Sequence, residues 1–216
     1  MEANIPIKKA LSYGIDEFKK RAGYLISVLL VYHIIILGLG WGLKLFDGLT
    51  HSILYLVTQV ISVILMLGLI YIALAIYNKK ETTINDLFRQ TEQLGQAIIL
   101  YIIISLIIIG GFILLIVPGI IWGIKYSQAF YLLVDKKLDW KEALTKSGEI
   151  TMNKKWGLLG YYIIMTLVNV LGMLAFGVGL LVSIPVTMLA SVFIYKHLVG
   201  NVTTESGAPA IEGTVK

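Results

Sequence analysis

The chain has 216 residues, of which 57% are hydrophobic and 14% charged, with a formal net charge of +5. Soluble domains are about 45–50% apolar and about 25% charged, so this composition excludes a soluble enzyme, a disordered protein and a nucleic-acid-binding domain as leading readings. The chain holds no cysteine, which excludes disulfides, thiolate nucleophiles and cysteine-based metal sites.

Residues 1–21 carry the first pattern. Ile7, Leu11, Ile15, Phe18 and Ala22 recur at helical spacing, with Lys8, Asp16, Lys19 and Lys20 around the rest. This periodicity predicts an amphipathic helix lying on the inner membrane surface, apolar side down. A charge-free run follows over 22–42, between Arg21 and Lys44, and a second over 50–77. Each is long enough for a bilayer core, which takes about 20 apolar residues in a helix. A loose connection through 44–50 makes them a hairpin.

The 78–95 segment repeats the opening pattern through Ile84, Leu87, Phe88, Thr91 and Leu94, with Thr83 and Asp86 as a capping box. A third run covers 96–117 and meets Pro118-Gly119, a turn signal. The fourth continues to Val134 and is interrupted only by Lys125. It is short and holds a charge, so a re-entrant segment is the alternative to a crossing. Residues 135–155 hold a third amphipathic pattern in Trp140, Ala143, Leu144, Ser147 and Ile150, opened by the Asp139 and Glu142 capping pair. Runs five and six cover 156–177 and 178–195, divided at Gly177-Val178-Gly179. The polar end from Gly200 is expected to be flexible. The Asn201-Val202-Thr203 acceptor pattern there reads as chance. The first apolar run is too long for a signal-peptide core, so no cleaved leader is expected.

The fold class that follows is all-α and integral to a membrane. Six transmembrane helices form three hairpins, each preceded by an amphipathic interfacial helix. Residues 1–197 make a single polytopic membrane domain and 198–216 a flexible cytoplasmic tail. Of the 18 basic residues, 16 lie in the N-terminal segment, 78–95, 135–155 and the C-terminal end. Six spans put all four segments on one side, and lysine and arginine collect on the cytoplasmic side. Both termini are therefore expected in the cytoplasm, at the cell (inner) membrane. The order also suggests a unit repeated over 6–77, 83–134 and 139–197. Ala10-Leu11 before Lys19-Lys20-Arg21 and Gly23 matches Ala143-Leu144 before Lys154-Lys155 and Gly157. The same wording suits any interfacial helix ahead of a span, and both readings stay open.

Residues 116–156 read IVPGIIWGIKYSQAFYLLVDKKLDWKEALTKSGEITMNKKW. A Pro-Gly pair, a basic residue within the membrane, an acidic end and an EAL..S helix precede a Lys-Trp boundary. This stretch resembles the membrane-domain family named after glycerophosphoryl diester phosphodiesterase, and related multi-pass prokaryotic families. Pro118, Gly119, Asp135, Glu142, Ala143, Leu144 and Ser147 match directly. The basic position, more often Arg in that family, is Lys125. The resemblance implies a helical membrane protein. Some relatives carry a fused phosphodiesterase barrel, but the hydrolase is not carried over, because the paired Glu and His ligands are absent here.

Lys125 is the strongest functional lead, because an ionised side chain inside a span is costly and functional by default. Six residues past Gly119 on a helix running inward, it is expected to snorkel outward. It is read either as a site for an anionic group such as a lipid phosphate or as a lysine bonded to carbonyls and water. His33, Gln59, Ser105, Gln128 and Asn169 are candidate intramembrane polar contacts, each worth about 1 kcal/mol between helices. Gly38 with Gly42 and Gly119 with Gly123 have the spacing of close helix approach. Trp41, Trp122, Trp140 and Trp156 fit interface anchors.

No P-loop, HExxH or GxSxG pattern occurs, and no cofactor or metal is expected. The leading reading is a non-enzymatic membrane adaptor or organiser contacting anionic lipid. The alternative is a small transporter or channel subunit with a path lined by Lys125, Gln59, Asn169 and His33. An enzyme acting on lipid head groups comes third. The expected partners are the lipid bilayer and a homo-oligomer or membrane-protein partner, with no nucleic acid.

Overall fold

A computed structural model describes residues 5–175 and 177–206. Among the described residues the regular structure is entirely helical: α1 (Ile7–Lys20), α2 (Ala22–Leu43), α3 (Gly48–Tyr77), α4 (Leu94–Leu114), α5 (Ile116–Tyr126), α6 (Ala129–Lys136), α7 (Trp140–Ile150), α8 (Lys155–Leu174) and α9 (Leu180–Ser206). Two 3-10 turns, Ile84–Phe88 and Thr91–Gln93, lead into α4. Five helical stretches are long and apolar enough to cross a membrane: α2, α3, α4 with the turns ahead of it, α8 and α9. The chain is a helical membrane protein. Uncharged runs such as α2 must form helices there, because a lipid core offers the backbone no hydrogen-bond partner.

The long helices change character along their length. α3 buries Leu65, Ile72 and Ile76 but exposes Leu49, Ile53 and Leu56. α2 buries Leu25, Val28 and Leu29, then exposes Ile34, Leu37 and Trp41. α8 buries Leu158, Tyr161 and Met165 and exposes Leu167, Leu171 and Leu174. The packed core therefore sits in one half of the bundle, and the other half turns large apolar side chains outward. Contiguous exposed apolar surface of that size marks a membrane-facing region.

The short elements wrap the packed half, and here several expectations change. α1 is helical over the expected residues, and its Ala10, Gly14 and Phe18 face is buried against protein. A Cβ at Gly14 would collide with the Val186 carbonyl oxygen of α9 and lie 3.3 Å from the Ala190 nitrogen. Tyr13 meets the Phe193 ring at 5.4 Å and the Tyr77 ring at 5.6 Å. Burial and the nearby Glu17 charge push its hydroxyl well above the usual tyrosine range. The apolar stripe thus meets protein before lipid, because glycine lets the two helices come close. Ile15, placed on the predicted seam, is exposed.

The 84–93 segment is not an α-helix. The predicted capping pair does form, since the Thr83 N–H donates to Asp86 Oδ2 at 2.8 Å. The backbone of Leu87 is then pressed onto Gly68 of α3, and its side chain is fully buried. So short a segment has few helical bonds to offset nucleation, and tertiary contact decides its shape. α7 forms over its expected residues with its expected cap, and its seam packs against protein. Asp139 Oδ1 accepts from the Glu142 N–H at 2.8 Å, and Ala143, Ser147 and Ile150 are buried.

The reversal expected at Pro118-Gly119 lies instead at Leu115, whose φ of −169° and ψ of 153° are extended. Pro118 sits in the first turn of α5, where its missing N–H has no helical partner to lose. Gly119 is a packing residue: a Cβ at the facing Gly111 would lie 2.7 Å from its Cα. A Cβ at Gly38, Gly42 or Gly123 would meet nothing within 4 Å, so their spacing makes no close approach within the chain. The predicted fourth span is two short helices, of 11 and 8 residues, divided at Ser127-Gln128. The α8–α9 turn falls where expected, with Gly177 at φ +75°. α9 runs through Ser206, so residues 198–206 of the expected tail are helical. Residues 207–216 lie outside the described residues.

Candidate functional site

A helix broken inside a membrane protein exposes backbone groups that must be satisfied by protein. At the α5–α6 break the partners come from α7. Ser147 Oγ donates to the Lys125 carbonyl at 2.8 Å and accepts from the Gln128 N–H at 3.3 Å. Thr151 Oγ1 lies 2.7 Å from the Ser147 carbonyl and 3.2 Å from that of Lys125, sharing one proton. Ser127 Oγ donates to the Ile124 carbonyl at 2.8 Å. The Gln128 amide donates to Tyr162 OH at 2.9 Å and to Ser127 Oγ at 3.0 Å. Gln128 is 2% exposed, and its Oε1 is buried without a partner.

Lys125 lies in the last turn of α5, beside this junction. Its Cε passes 2.9 Å from where a Gly148 Cβ would stand, and its Nζ lies 5.1 Å from the Tyr126 ring centroid. With Tyr126, Leu144, Gly148, Glu149 and Met152, it lines a cleft of about 390 Å³. One expectation is corrected here. The lysine side chain lies against α7 and does not extend outward along α5. The Glu149 carboxylate of α7 lines the same cleft. The cause is the break two residues on, which leaves Lys125 in the last turn of α5. A cation is favoured there, and α7 closes over it.

The other predicted polar residues are dispersed. His33 Nδ1 is 2.8 Å from the Leu29 carbonyl one turn back. Asn169 donates to Thr187 Oγ1 at 3.3 Å between α8 and α9, and its Oδ1 is buried without a partner. Gln59 is exposed on α3, and Ser105 is half-buried on α4. None of His33, Gln59, Ser105 or Asn169 lines the Lys125 cleft. Among the described residues no three His, Asp or Glu side chains gather to hold a metal.

Sequence reasoning missed a half-buried ion pair and the tyrosines around it. Asp135 accepts from Tyr195 OH and from Lys196 Nζ, each at 2.8 Å. Tyr131 stacks on Tyr195 at 5.4 Å, and Tyr161 OH lies 2.9 Å from Ser191 Oγ. Asp135 and Lys196 were visible only as charges ending two runs. Their pairing spans 61 residues, and nothing local in the sequence announces it.

No protein family's sequence profile matches the chain. No solved structure matches it either. An uncharacterized protein of Mycobacterium bovis is 32% identical over 145 residues, which is 66% of this chain and 44% of that protein. An uncharacterized protein of Mycobacterium tuberculosis is 30% identical over 144 residues, with the same two shares. The chain therefore spans less than half the length of these relatives.

Proposed function

We propose that the chain is a non-enzymatic multi-pass protein of the cell membrane, an adaptor or organiser that contacts anionic lipid at the Lys125 cleft. The carrying observation is the cleft itself: a cation held against α7, in no ion pair among the described residues, with its ammonium beside an aromatic ring. In this reading α5 and α6 together form a sixth crossing. Laid end to end, their 21 residues, 116–136, would span about 31 Å at a helical rise of about 1.5 Å. Both termini then face the cytoplasm, together with the amphipathic α1 and α7. The likeness of residues 116–156 to the glycerophosphoryl diester phosphodiesterase membrane-domain family belongs to the same proposal, without the hydrolase.

The broken helix weighs against the transporter reading. Carriers use freed helix ends to hold their cargo. Here the freed groups at Lys125 and Gln128 are occupied by Ser147 and Thr151.

Native mass spectrometry of the purified protein tests the lipid contact. Lys125→Ala is expected to lose one bound anionic lipid, with about fivefold weaker affinity for it, the weight of one lysine near an anionic surface. Unchanged retention would contradict the proposal.

A further inference from the structure

We propose a second anion site, distinct from Lys125, that holds the phosphate of an anionic membrane lipid between the α1–α2 junction and the loop after α3. It rests on the membrane reading above but not on the Lys125 contact. The sequence places Lys19, Lys20 and Arg21 some 60 residues from Lys79 and Lys80. The fold brings all five onto one cavity of about 790 Å³, with Glu81 as its single carboxylate. Charge excess at a cytoplasmic boundary is ordinary. A cavity walled by cations from two separate segments is more than that.

Three further observations point the same way. The walls are tied together, since Tyr24 OH donates to the Thr83 carbonyl at 3.1 Å across 59 residues. Lys79 and Lys80 close the end of α3, donating their N–H groups to the Ile76 and Ala75 carbonyls at 3.0 and 2.8 Å. This is the closure at which glycine is usual, because its first residue is left-handed. Lys79 occupies that position at φ 56°. A lysine there is strained where glycine is not, and what it adds is a cation on the cavity wall. Finally, the first turn of α2 lines the cavity at Ala22, Gly23 and Tyr24, and no side chain caps that helix. Nothing lies within 4 Å of a Cβ position at Gly23, so a phosphate can approach the backbone of a helix N-terminus, where anions are favoured.

Glu17 already pairs with Lys20 at 2.6 Å and sits 3.8 Å from Arg21. Lys19, Lys79 and Lys80 make no ion pair among the described residues, so the cavity keeps positive charge to offer. A lipid is the better fit than a soluble phosphate because of what lies beyond the cavity. α2 runs directly from it to exposed Leu30, Ile34 and Leu37, a surface for acyl chains.

The test uses the full chain in a zwitterionic detergent, titrated with phosphatidylglycerol, phosphatidylcholine and inorganic pyrophosphate. Lys79→Gly is expected to raise the melting temperature while weakening one phosphatidylglycerol site about fivefold. Lys80→Ser is expected to weaken the same site without that gain. Lys125→Ala leaves this site intact, so loss at one lysine and not the other separates the two lipid proposals. Unchanged phosphatidylglycerol affinity in both the Lys79 and Lys80 variants would overturn the inference. Pyrophosphate binding more tightly than the lipid, or phosphatidylcholine binding equally well, would overturn the assignment to an anionic lipid.

Discussion

Gly68→Ala is expected to destabilise the protein by about 1–3 kcal/mol, the range for forcing extra volume into a packed core. The added methyl would fall on the backbone of Leu87, with the Leu87 Cα and carbonyl carbon both at 2.5 Å and its oxygen nearer still. A flexible side chain could swing aside, but a backbone can yield only by moving the 3-10 turn that carries it. That turn buries Leu87 and Asp86, so displacement also uncovers core. Gly38→Ala is the control. It lies inside α2, a Cβ there would meet nothing within 4 Å, and alanine favours a helix interior over glycine by about 1 kcal/mol. Unfolding in detergent should therefore show the two substitutions moving stability in opposite directions. Equal stability would mean that Gly68 and Leu87 are not in contact.

Ser147→Ala should cost about 2 kcal/mol despite removing a single oxygen. The hydroxyl is fully buried and serves two backbone groups at once. Thr151 still reaches the Lys125 carbonyl in the variant, but the Gln128 N–H is left buried with no acceptor. An orphaned buried donor costs about 1–3 kcal/mol. Thr145→Ala, on the exposed face of α7 where the hydroxyl bonds only the Lys141 carbonyl, should change stability by less than about 0.5 kcal/mol. Limited proteolysis gives a second readout, since a loosened Ser127-Gln128 junction should be cut faster in the Ser147 variant alone. Equal cutting and equal stability in the two variants would remove α7 from its role at the break.

Legibility in the sequence tracked whether the deciding interaction was local. Uncharged runs bounded by Arg21, Lys44 and Lys79 marked α2 and α3 closely, because lipid leaves the backbone only its own helix. The Asp139 and Glu142 cap was readable for the same reason. Where a tertiary contact decides, local rules failed. Leu87 packs on Gly68 and sits in a 3-10 turn, not an α-helix. α1 packs its apolar stripe on α9 through Gly14, a partner nothing in its own periodicity names. Pro118-Gly119 looked like a turn, yet Pro is also at home in a helix's first turn, and Gly119 was needed for packing on Gly111. At the candidate site, Lys125 stood out as the one cation within a run. Ser147 was visible only as a seam residue, because its hydrogen bonds cross about 20 residues of intervening chain. The basic cavity was hidden for the same reason, its two halves lying on opposite sides of a hairpin.

The central claim is a bundle with six crossings, in which α5 and α6 together make the fourth. The chain contains no cysteine, so single cysteines can be placed on an otherwise silent background. Asp47→Cys, Glu81→Cys, Lys141→Cys and Val178→Cys sample four of its connections. Intact cells would be treated with a membrane-impermeant maleimide, before and after permeabilisation. The account predicts labelling of residues 47 and 178 from outside, and of 81 and 141 only after permeabilisation. Labelling of residue 141 from outside would mean that α5 and α6 return without crossing, and would contradict it.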